Sequence, residues 1–243
     1  MPQPDAQRAI TGDRYDAVLL DLDGVITDTA SIHAACWKQM FDEYLLKRAT
    51  ERSEAFRPFD IATDYRLYVD GKPRYDGVRD FLKSRDMKLP EGSPEDSPEA
   101  ETVDGLGNRK NDLVNKIIEE GGVEPYAGRV KLLRQLRHEG FKIAVVTSSQ
   151  NCTAVLKAAK LDHFFDVQVD GNTIHAQHLA GKPAPDTFLT AAKLLGVDPA
   201  RAVVIEDALS GVEAGRNGNF GLVIGVRAKE MPMSCGAMAR IWS

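Results

Sequence analysis

Three short runs of aliphatic and β-branched residues constrain the fold more than any other feature of this 243-residue chain. They lie at residues 15–20, 142–146 and 202–205. Continuous apolar runs of this length are typical of strands that are buried on both faces of a parallel sheet. Between them the apolar spacing becomes helical, at residues 130–138, 151–159, 185–195 and 210–217. Strands that alternate with helices predict an α/β fold with a doubly wound parallel sheet.

Residues 29–123 interrupt this alternation, because the pattern there predicts helices with no strand between them. The predicted helices cover residues 33–45, 76–84 and 108–119. We therefore expect a core domain of residues 1–28 and 124–243, with a helical cap domain of residues 29–123 inserted after the first strand. Within the cap, residues 89–101 contain three prolines and five acidic residues, a composition that favours a solvated loop.

Composition excludes several classes of partner. The net charge of −5 argues against nucleic acid, because surfaces that bind phosphate backbones are strongly basic. Apolar runs of membrane-spanning length and the apolar region of a signal peptide are both absent from the sequence. The three cysteines, Cys36, Cys152 and Cys235, are scattered, which favours a reducing compartment. We expect a cytoplasmic monomer with neither a nucleic-acid nor a membrane partner.

Two aspartates follow the first predicted strand directly. Ligands of parallel α/β sheets bind beyond the carboxyl ends of the strands, which places Asp21 and Asp23 in a candidate site. Residues two apart leave a strand on the same side, so the two carboxylates repel each other unless a cation or a proton relieves the repulsion. Mg²⁺ is the expected cation, since it prefers oxygen ligands. The alternative is a strand-end cap at Asp21 and an ordinary turn at Asp23.

Polar residues also follow the other two predicted strands. A further polar residue lies in the loop before one helix. Hydroxyl and amide side chains at the start of a helix form an anion site or, alternatively, a plain helix cap. These residues are Thr147, Ser148, Ser149, Gln150 and Asn151. Lys182, in a proline-rich loop, can neutralise a phosphoryl oxygen or simply be an exposed lysine. Glu206 and Asp207 can complete a metal shell, or Asp207 can cap a helix.

An acid pair, a hydroxyl, a lysine and a second acid pair, in this order along the chain, resemble the four-part signature of the haloacid dehalogenase superfamily. The resemblance covers about residues 15–226. Within that superfamily, residues 21–30 together with His33 and Trp37 are most similar to the β-phosphoglucomutase family. The resemblance implies a Rossmann-like core and a phosphorylated sugar as substrate.

The resemblance also implies a role for each core residue. Asp21 attacks the phosphoryl group and forms an aspartyl-phosphate, while Asp23 is the general acid and base for the sugar hydroxyl. Thr147 and Lys182 bind the transferring phosphoryl group. The implied ligands of Mg²⁺ are the side chains of Asp21, Glu206 and Asp207 and the main-chain oxygen of Asp23.

Two residues of the first cap helix are candidates for substrate binding. His33 follows Thr29 by four residues, so both side chains face the same way. In the resembled family the matching histidine helps to couple substrate binding to Asp23; the alternative is a structural histidine. Trp37, four residues further on, could pack on the sugar or belong to the hydrophobic core.

Residues 69–74 resemble the cap loop that holds the sugar's non-transferring phosphate through an arginine. The candidates are Gly71, Lys72 and Arg74, and a solvated turn is the alternative. The sequence departs from the family at Asp70, where these mutases usually have a lysine that Lys72 could replace. Lys110 matches a second basic group of the cap, or else belongs to a charged helix face.

The sequence leaves three functions open. The leading hypothesis is interconversion of β-D-glucose 1-phosphate and glucose 6-phosphate through a bisphosphate. A magnesium-dependent sugar-phosphate phosphatase is the second, supported mainly by Asp70. A non-catalytic protein that binds phosphosugars or partner proteins is the third.

Residues 227–243 lack any clear period, whereas the resembled family continues at this point with a helix and another strand. A different reading frame of plausible codons from Lys229 onward encodes an amphipathic helix that leads toward a strand. We therefore hypothesise a frameshift, and a resequenced gene with the printed frame intact would contradict it.

Overall fold

The computed structural model describes residues 10–121 and 123–226. The chain divides into two compact units, one of Met1–Asp28 with Val123–Ser243 and one of Thr29–Gly122. Within the described ranges, every helix is too short or too polar to cross a lipid bilayer.

Within residues 10–28 and 123–226, the first unit is built on a parallel five-stranded sheet. Its strands are β1 (Ala17–Leu20), β2 (Lys142–Val146), β3 (Val167–Val169), β4 (Ala202–Glu206) and β5 (Leu222–Gly225), in the spatial order β3-β2-β1-β4-β5. Leu20 is in register with Val145 on one side and with Ile205 on the other. The carboxyl ends of β1, β2 and β4 therefore lie side by side at one edge of the sheet.

In the part of the first unit that the structure describes, five α-helices connect or flank these strands. They are α4 (Ala127–His138), α5 (Cys152–Ala158), α6 (Gly171–Ala176), α7 (Asp186–Leu195) and α8 (Leu209–Asn217), numbered after the three helices of the second unit. The predicted doubly wound α/β core is confirmed. Strand β3 was not predicted because it is only three residues long and contains the polar Gln168, which leaves too little pattern to recognise.

The central strand β1 is apolar throughout and fully buried, because helices cover the sheet. Leu19 and Val204 are fully buried, and they share one cluster with Phe188 of α7. Burial on this scale supplies the main favourable free energy of folding. It also holds the carboxyl ends of the strands in a rigid frame, from which the site residues project.

The second unit is helical. It contains α1 (Ala30–Arg52), a π-helix (Ile61–Val69), α2 (Arg74–Ser84) and α3 (Val103–Gly121). Aromatic rings form its core: Phe41 lies 5.2 Å from Phe59 and 4.1 Å from Phe81, measured between ring centroids. The π-helix was not predicted, because its i→i+5 hydrogen bonds have no distinct sequence period.

The chain leaves the first unit after Asp28 and re-enters it at Val123. Hydrogen bonds join these two segments to each other. Thr27 forms a bridge with Pro125, and the Asp28 amide donates to the Glu124 carbonyl at 3.3 Å. The Tyr126 hydroxyl donates to Asp28 Oδ1 at 2.8 Å. The proposed frameshifted segment, residues 227–243, lies outside the described residues.

Candidate active site

Asp21 and Glu206 are neighbours because β1 and β4 pair in register. Asp21 directly follows β1, and Glu206 is the last residue of β4. The Lys182 ammonium donates to Asp21 Oδ1 and to Glu206 Oε1, each at 2.6 Å. It also donates to the Val146 carbonyl at 3.2 Å, so the lysine joins the ends of three strands. The interpretation of Lys182 as an exposed lysine is wrong, because its side chain is fully buried.

The charges of these groups depend on one another. Burial raises the pKa of Asp21, the carboxylates of Glu206 and Asp23 raise it further, and Lys182 lowers it. Burial alone would lower the pKa of Lys182, but Asp21 and Glu206 outweigh this effect and raise it. The ammonium is therefore retained, and a further cation beside Asp21 would favour the charged form of this carboxyl group.

Asp21, Glu206 and Asp207 together present a set of oxygen ligands. One carboxylate oxygen from each lies within 4.8 Å of the others. Three converging carboxylates suit a hard divalent cation, which accepts carboxylate oxygens and retains positions for water or phosphate oxygens. These are the three side chains that the sequence resemblance assigns to the metal.

Asp23 and Thr147 are also brought together. The Thr147 hydroxyl donates to Asp23 Oδ2 at 3.2 Å and accepts from the Ser149 amide at 3.1 Å. The Asn151 amide donates to Ser149 Oγ at 3.2 Å, and the Asn151 side chain does not cap α5. Residues 147–151 therefore form a turn that is held by its own hydroxyls next to the acid pair.

In the helical unit, His33 and Lys110 are in contact. Lys110 Nζ lies 2.6 Å from His33 Nδ1 and 5.0 Å from the centroid of the Trp37 ring. Trp37 is only 3% exposed and stacks on Phe41 at 5.4 Å, which favours the core interpretation of this tryptophan over direct packing on a sugar. Thr29 is buried at the start of α1, where its carbonyl accepts from the His33 amide at 2.9 Å.

The predicted phosphate-binding turn joins the π-helix to α2. Gly71 has a φ of +70°, and Arg74 is the first residue of α2. Lys72 is paired with Asp80 at 2.5 Å, which favours a structural role for this lysine over compensation for Asp70. Arg74 is half-buried, and its guanidinium lies 4.9 Å from the centroid of the Tyr75 ring.

Comparison with known proteins identifies the family. Residues 15–219 match the model of the haloacid dehalogenase-like hydrolases. The chain belongs to this family. It is 52% identical over 225 residues to a β-phosphoglucomutase of Mycobacterium bovis, a match that covers 92% of this chain and 86% of that protein.

Two further relatives agree with this assignment. A β-phosphoglucomutase of Bacillus subtilis is 33% identical, over 86% of this chain and 83% of its own length. The crystal structure of a β-phosphoglucomutase from Clostridium difficile superimposes with a TM-score of 0.67 at 25% identity, covering 86% of this chain and 83% of that one. The predicted resemblance to the β-phosphoglucomutases within the haloacid dehalogenase-like hydrolases is thus confirmed.

Sequence reasoning missed Gly211, which makes room for the carboxylate cluster of this haloacid dehalogenase-like chain. A Cβ atom at position 211 would lie 1.8 Å from Glu206 Oε1, far inside van der Waals contact. The Glu206 side chain is also fixed by the Ala208 amide, which donates to Oε2 at 2.8 Å. The sequence carries no local signal for this requirement, because a glycine in a helix is equally compatible with close packing between helices.

Gly211→Ala is expected to displace the Glu206 carboxylate and to weaken metal binding by about 10- to 100-fold, the usual effect of disturbing groups that orient a ligand. Titration of activity with Mg²⁺ measures this change. Gly215→Ala, one turn further along α8, is the matched control, since its Cβ would meet the apolar side chains of Val223, at 3.1 Å, and Val204, at 3.2 Å. Equal Mg²⁺ dependence in both variants would contradict the prediction.

Proposed function

We propose that this chain is a β-phosphoglucomutase that interconverts β-D-glucose 1-phosphate and glucose 6-phosphate. The observation that carries the proposal is the 52% identity to the M. bovis β-phosphoglucomutase over 92% of this chain. The contacts of Asp21, Lys182 and Glu206 support it, because they bring together a nucleophile and the charge that phosphoryl transfer requires.

Asp21 acts as the nucleophile in the proposed cycle. In its phosphorylated form it transfers the phosphoryl group to the sugar C6 hydroxyl, which yields glucose 1,6-bisphosphate and the free carboxylate. The bisphosphate then presents its C1 phosphoryl group, the Asp21 carboxylate attacks phosphorus, and the P–O1 bond breaks to release glucose 6-phosphate. A carboxylate nucleophile thereby divides one difficult transfer into two easier steps.

Asp23 moves the proton in both half-reactions. It accepts the C6 hydroxyl proton when that oxygen attacks, and it returns a proton to O1 when the second P–O bond breaks. The Thr147 hydroxyl, 3.2 Å from Asp23 Oδ2, orients this carboxyl group. Lys182 neutralises charge on the transferring phosphoryl oxygens, and Ser148, Ser149, Gln150 and Asn151 supply further donors around it.

Groups of the helical unit bind the rest of the substrate. Arg74 suits the phosphate that is not transferred, because a guanidinium binds phosphate through two parallel hydrogen bonds. Lys110 and His33, 2.6 Å apart, provide a polar pair for the sugar or its phosphate. Thr29 and Gly71 belong to the same proposed set, at the start of α1 and in the turn before α2.

Mg²⁺ is the proposed metal, held by Asp21, Glu206, Asp207 and the Asp23 main-chain oxygen. When bound, it would offset negative charge on the phosphoryl oxygens during transfer. We further propose a cytoplasmic monomer. The buried free thiols of Cys36 and Cys152 support a reducing compartment.

A coupled assay tests the proposed function. The enzyme is given β-D-glucose 1-phosphate, Mg²⁺ and catalytic glucose 1,6-bisphosphate, and glucose 6-phosphate and free phosphate are followed together. Glucose 6-phosphate that rises well ahead of phosphate is the expected result. Phosphate without glucose 6-phosphate would overturn the proposal in favour of a phosphatase.

A further inference from the structure

The acidic, proline-bearing segment of residues 89–101 contains no helix or strand, as predicted, but it is packed against its own unit rather than fully solvated. Its Pro90 and Glu91 carbonyls accept from the first amides of α3, at 2.9 and 3.0 Å. The Pro98 carbonyl accepts from Arg109 Nε at 2.7 Å. Leu89 packs against the aromatic core. We call residues 89–101 the docked segment.

One side chain of α3 connects the docked segment to α2. Asn108 Nδ2 donates to the carbonyls of Pro94 and Asp96, at 3.0 and 2.9 Å. These two acceptors fix the orientation of the amide group, so that its Oδ1 atom faces the other way. There it accepts from the Tyr75 hydroxyl at 2.9 Å.

The Tyr75 hydroxyl then orients Arg74. Since its only proton is donated to Asn108, its oxygen is available as an acceptor, and Arg74 Nη2 donates to it at 3.2 Å. The chain of hydrogen bonds therefore has one direction, from Arg74 through Tyr75 and Asn108 to the docked segment. Thirty-three positions separate Tyr75 from Asn108, so the bond joins two different helices.

The backbone leaves room for this arrangement at Gly107. A Cβ atom there would lie 2.6 Å from Cδ1 of the Tyr75 ring, which would push the ring away from α3. The ring is thus held on one side by helix packing and at its hydroxyl by Asn108. A tyrosine fixed in this way limits the conformations that the neighbouring arginine can adopt.

We propose that Tyr75 and Asn108 are positioning residues for Arg74, and that the docked segment determines how tightly the enzyme binds substrates that carry a second phosphate. The inference rests on the proposed function, in which Arg74 binds the phosphate that is not transferred. An arginine already held in one conformation loses less entropy when it binds phosphate, and this strengthens binding. Neither residue touches the reacting phosphoryl group.

The test compares two phosphoryl donors on the full-length enzyme. Glucose 1,6-bisphosphate carries a second phosphate for Arg74, whereas acetyl phosphate carries none, and both can phosphorylate Asp21. Tyr75→Phe removes the hydroxyl and keeps the ring. Losing one hydrogen bond is expected to raise KM for the bisphosphate by about three- to tenfold, with little change in kcat. The kinetics of Asp21 phosphorylation by acetyl phosphate, measured as acetate release with no sugar phosphate present, should not change.

Two further variants make the comparison specific. Asn108→Ala breaks the same chain of hydrogen bonds at its next member, and it should produce the same selective rise in KM. Tyr68→Phe is the matched control: Tyr68 lies in the π-helix of the same unit, with its ring 6.4 Å from that of Phe81. It should behave as wild type with both donors.

The outcomes separate this inference from the proposed function. An unchanged bisphosphate KM in Tyr75→Phe and Asn108→Ala, or a parallel loss with both donors, would overturn the positioning role while wild-type mutase activity stands. A wild-type enzyme that forms no glucose 6-phosphate would instead overturn the proposed function, and with it the second phosphate that Arg74 is proposed to hold.

Discussion

Asp21→Asn is expected to abolish turnover, with a loss of at least about four orders of magnitude, because an amide oxygen cannot form the covalent phosphoryl intermediate. The fold should survive, since Asn retains the shape of Asp and its oxygen can still accept from Lys182, which lies 2.6 Å from Asp21 Oδ1. The coupled assay gives the rate. Mass spectrometry of acid-quenched enzyme shows whether one phosphoryl group is attached.

Asp16→Asn is the matched control for this variant. Asp16 precedes the same strand at its opposite end, where its carboxylate pairs with Arg201 at 2.6 and 2.7 Å. That control should keep the wild-type rate and the phosphorylated intermediate. A phosphorylated Asp21→Asn protein, or one with more than about a hundredth of the wild-type rate, would show that another residue is the nucleophile.

Lys182→Met is expected to lower both activity and stability. Methionine is similar in length, but it cannot donate to Asp21 and Glu206, so two buried carboxylates lose their shared ammonium. Removing one partner of a buried ion pair usually costs about 3–5 kcal/mol in the free energy of unfolding. Urea denaturation in EDTA measures the loss, and the coupled assay should show a rate at least about a hundredfold lower.

The control for this variant is Lys142→Met, in the first unit and at the start of β2. Lys142 Nζ donates to the Leu195 carbonyl at 2.6 Å, and its side chain neutralises no buried carboxylate. Loss of this bond should cost about 1 kcal/mol. If Lys182→Met were no less stable than Lys142→Met, the charge of Lys182 would not be needed to balance Asp21 and Glu206.

Much of the core could be predicted from sequence because the relevant signals are local. A buried strand followed directly by Asp21 and Asp23, or by Glu206 and Asp207, indicates both the element and the end at which ligands bind. The parallel pairing then determines that these ends are adjacent. The strand pattern and the chemistry of the next residues made these acid pairs candidates, and the resemblance to the family gave each residue its role.

The missed features depend on contacts between distant positions. A side chain at position 211 would collide with Glu206, and Tyr75 is oriented by a hydrogen bond to Asn108 on another helix. Neither contact produces a periodic pattern in the sequence. At Trp37 the sequence does show a pattern, but that pattern fits two different structural roles. At its helical spacing, a core tryptophan and a sugar-stacking one have the same pattern, and only its burial beside Phe41 separates the two interpretations.

The central position of β1 also affects how the chain is made. Its pairing partners begin at Lys142 on one side and at Ala202 on the other, so during synthesis the first strand emerges from the ribosome long before either neighbour exists. The helical unit, Thr29–Gly122, is continuous in sequence and can complete its own contacts during that interval. Long-range strand pairing is slow, and unpaired strands aggregate readily. If the helical unit folds during synthesis, β1 is the short apolar strand that still has to be protected from aggregation until β2 and β4 are made.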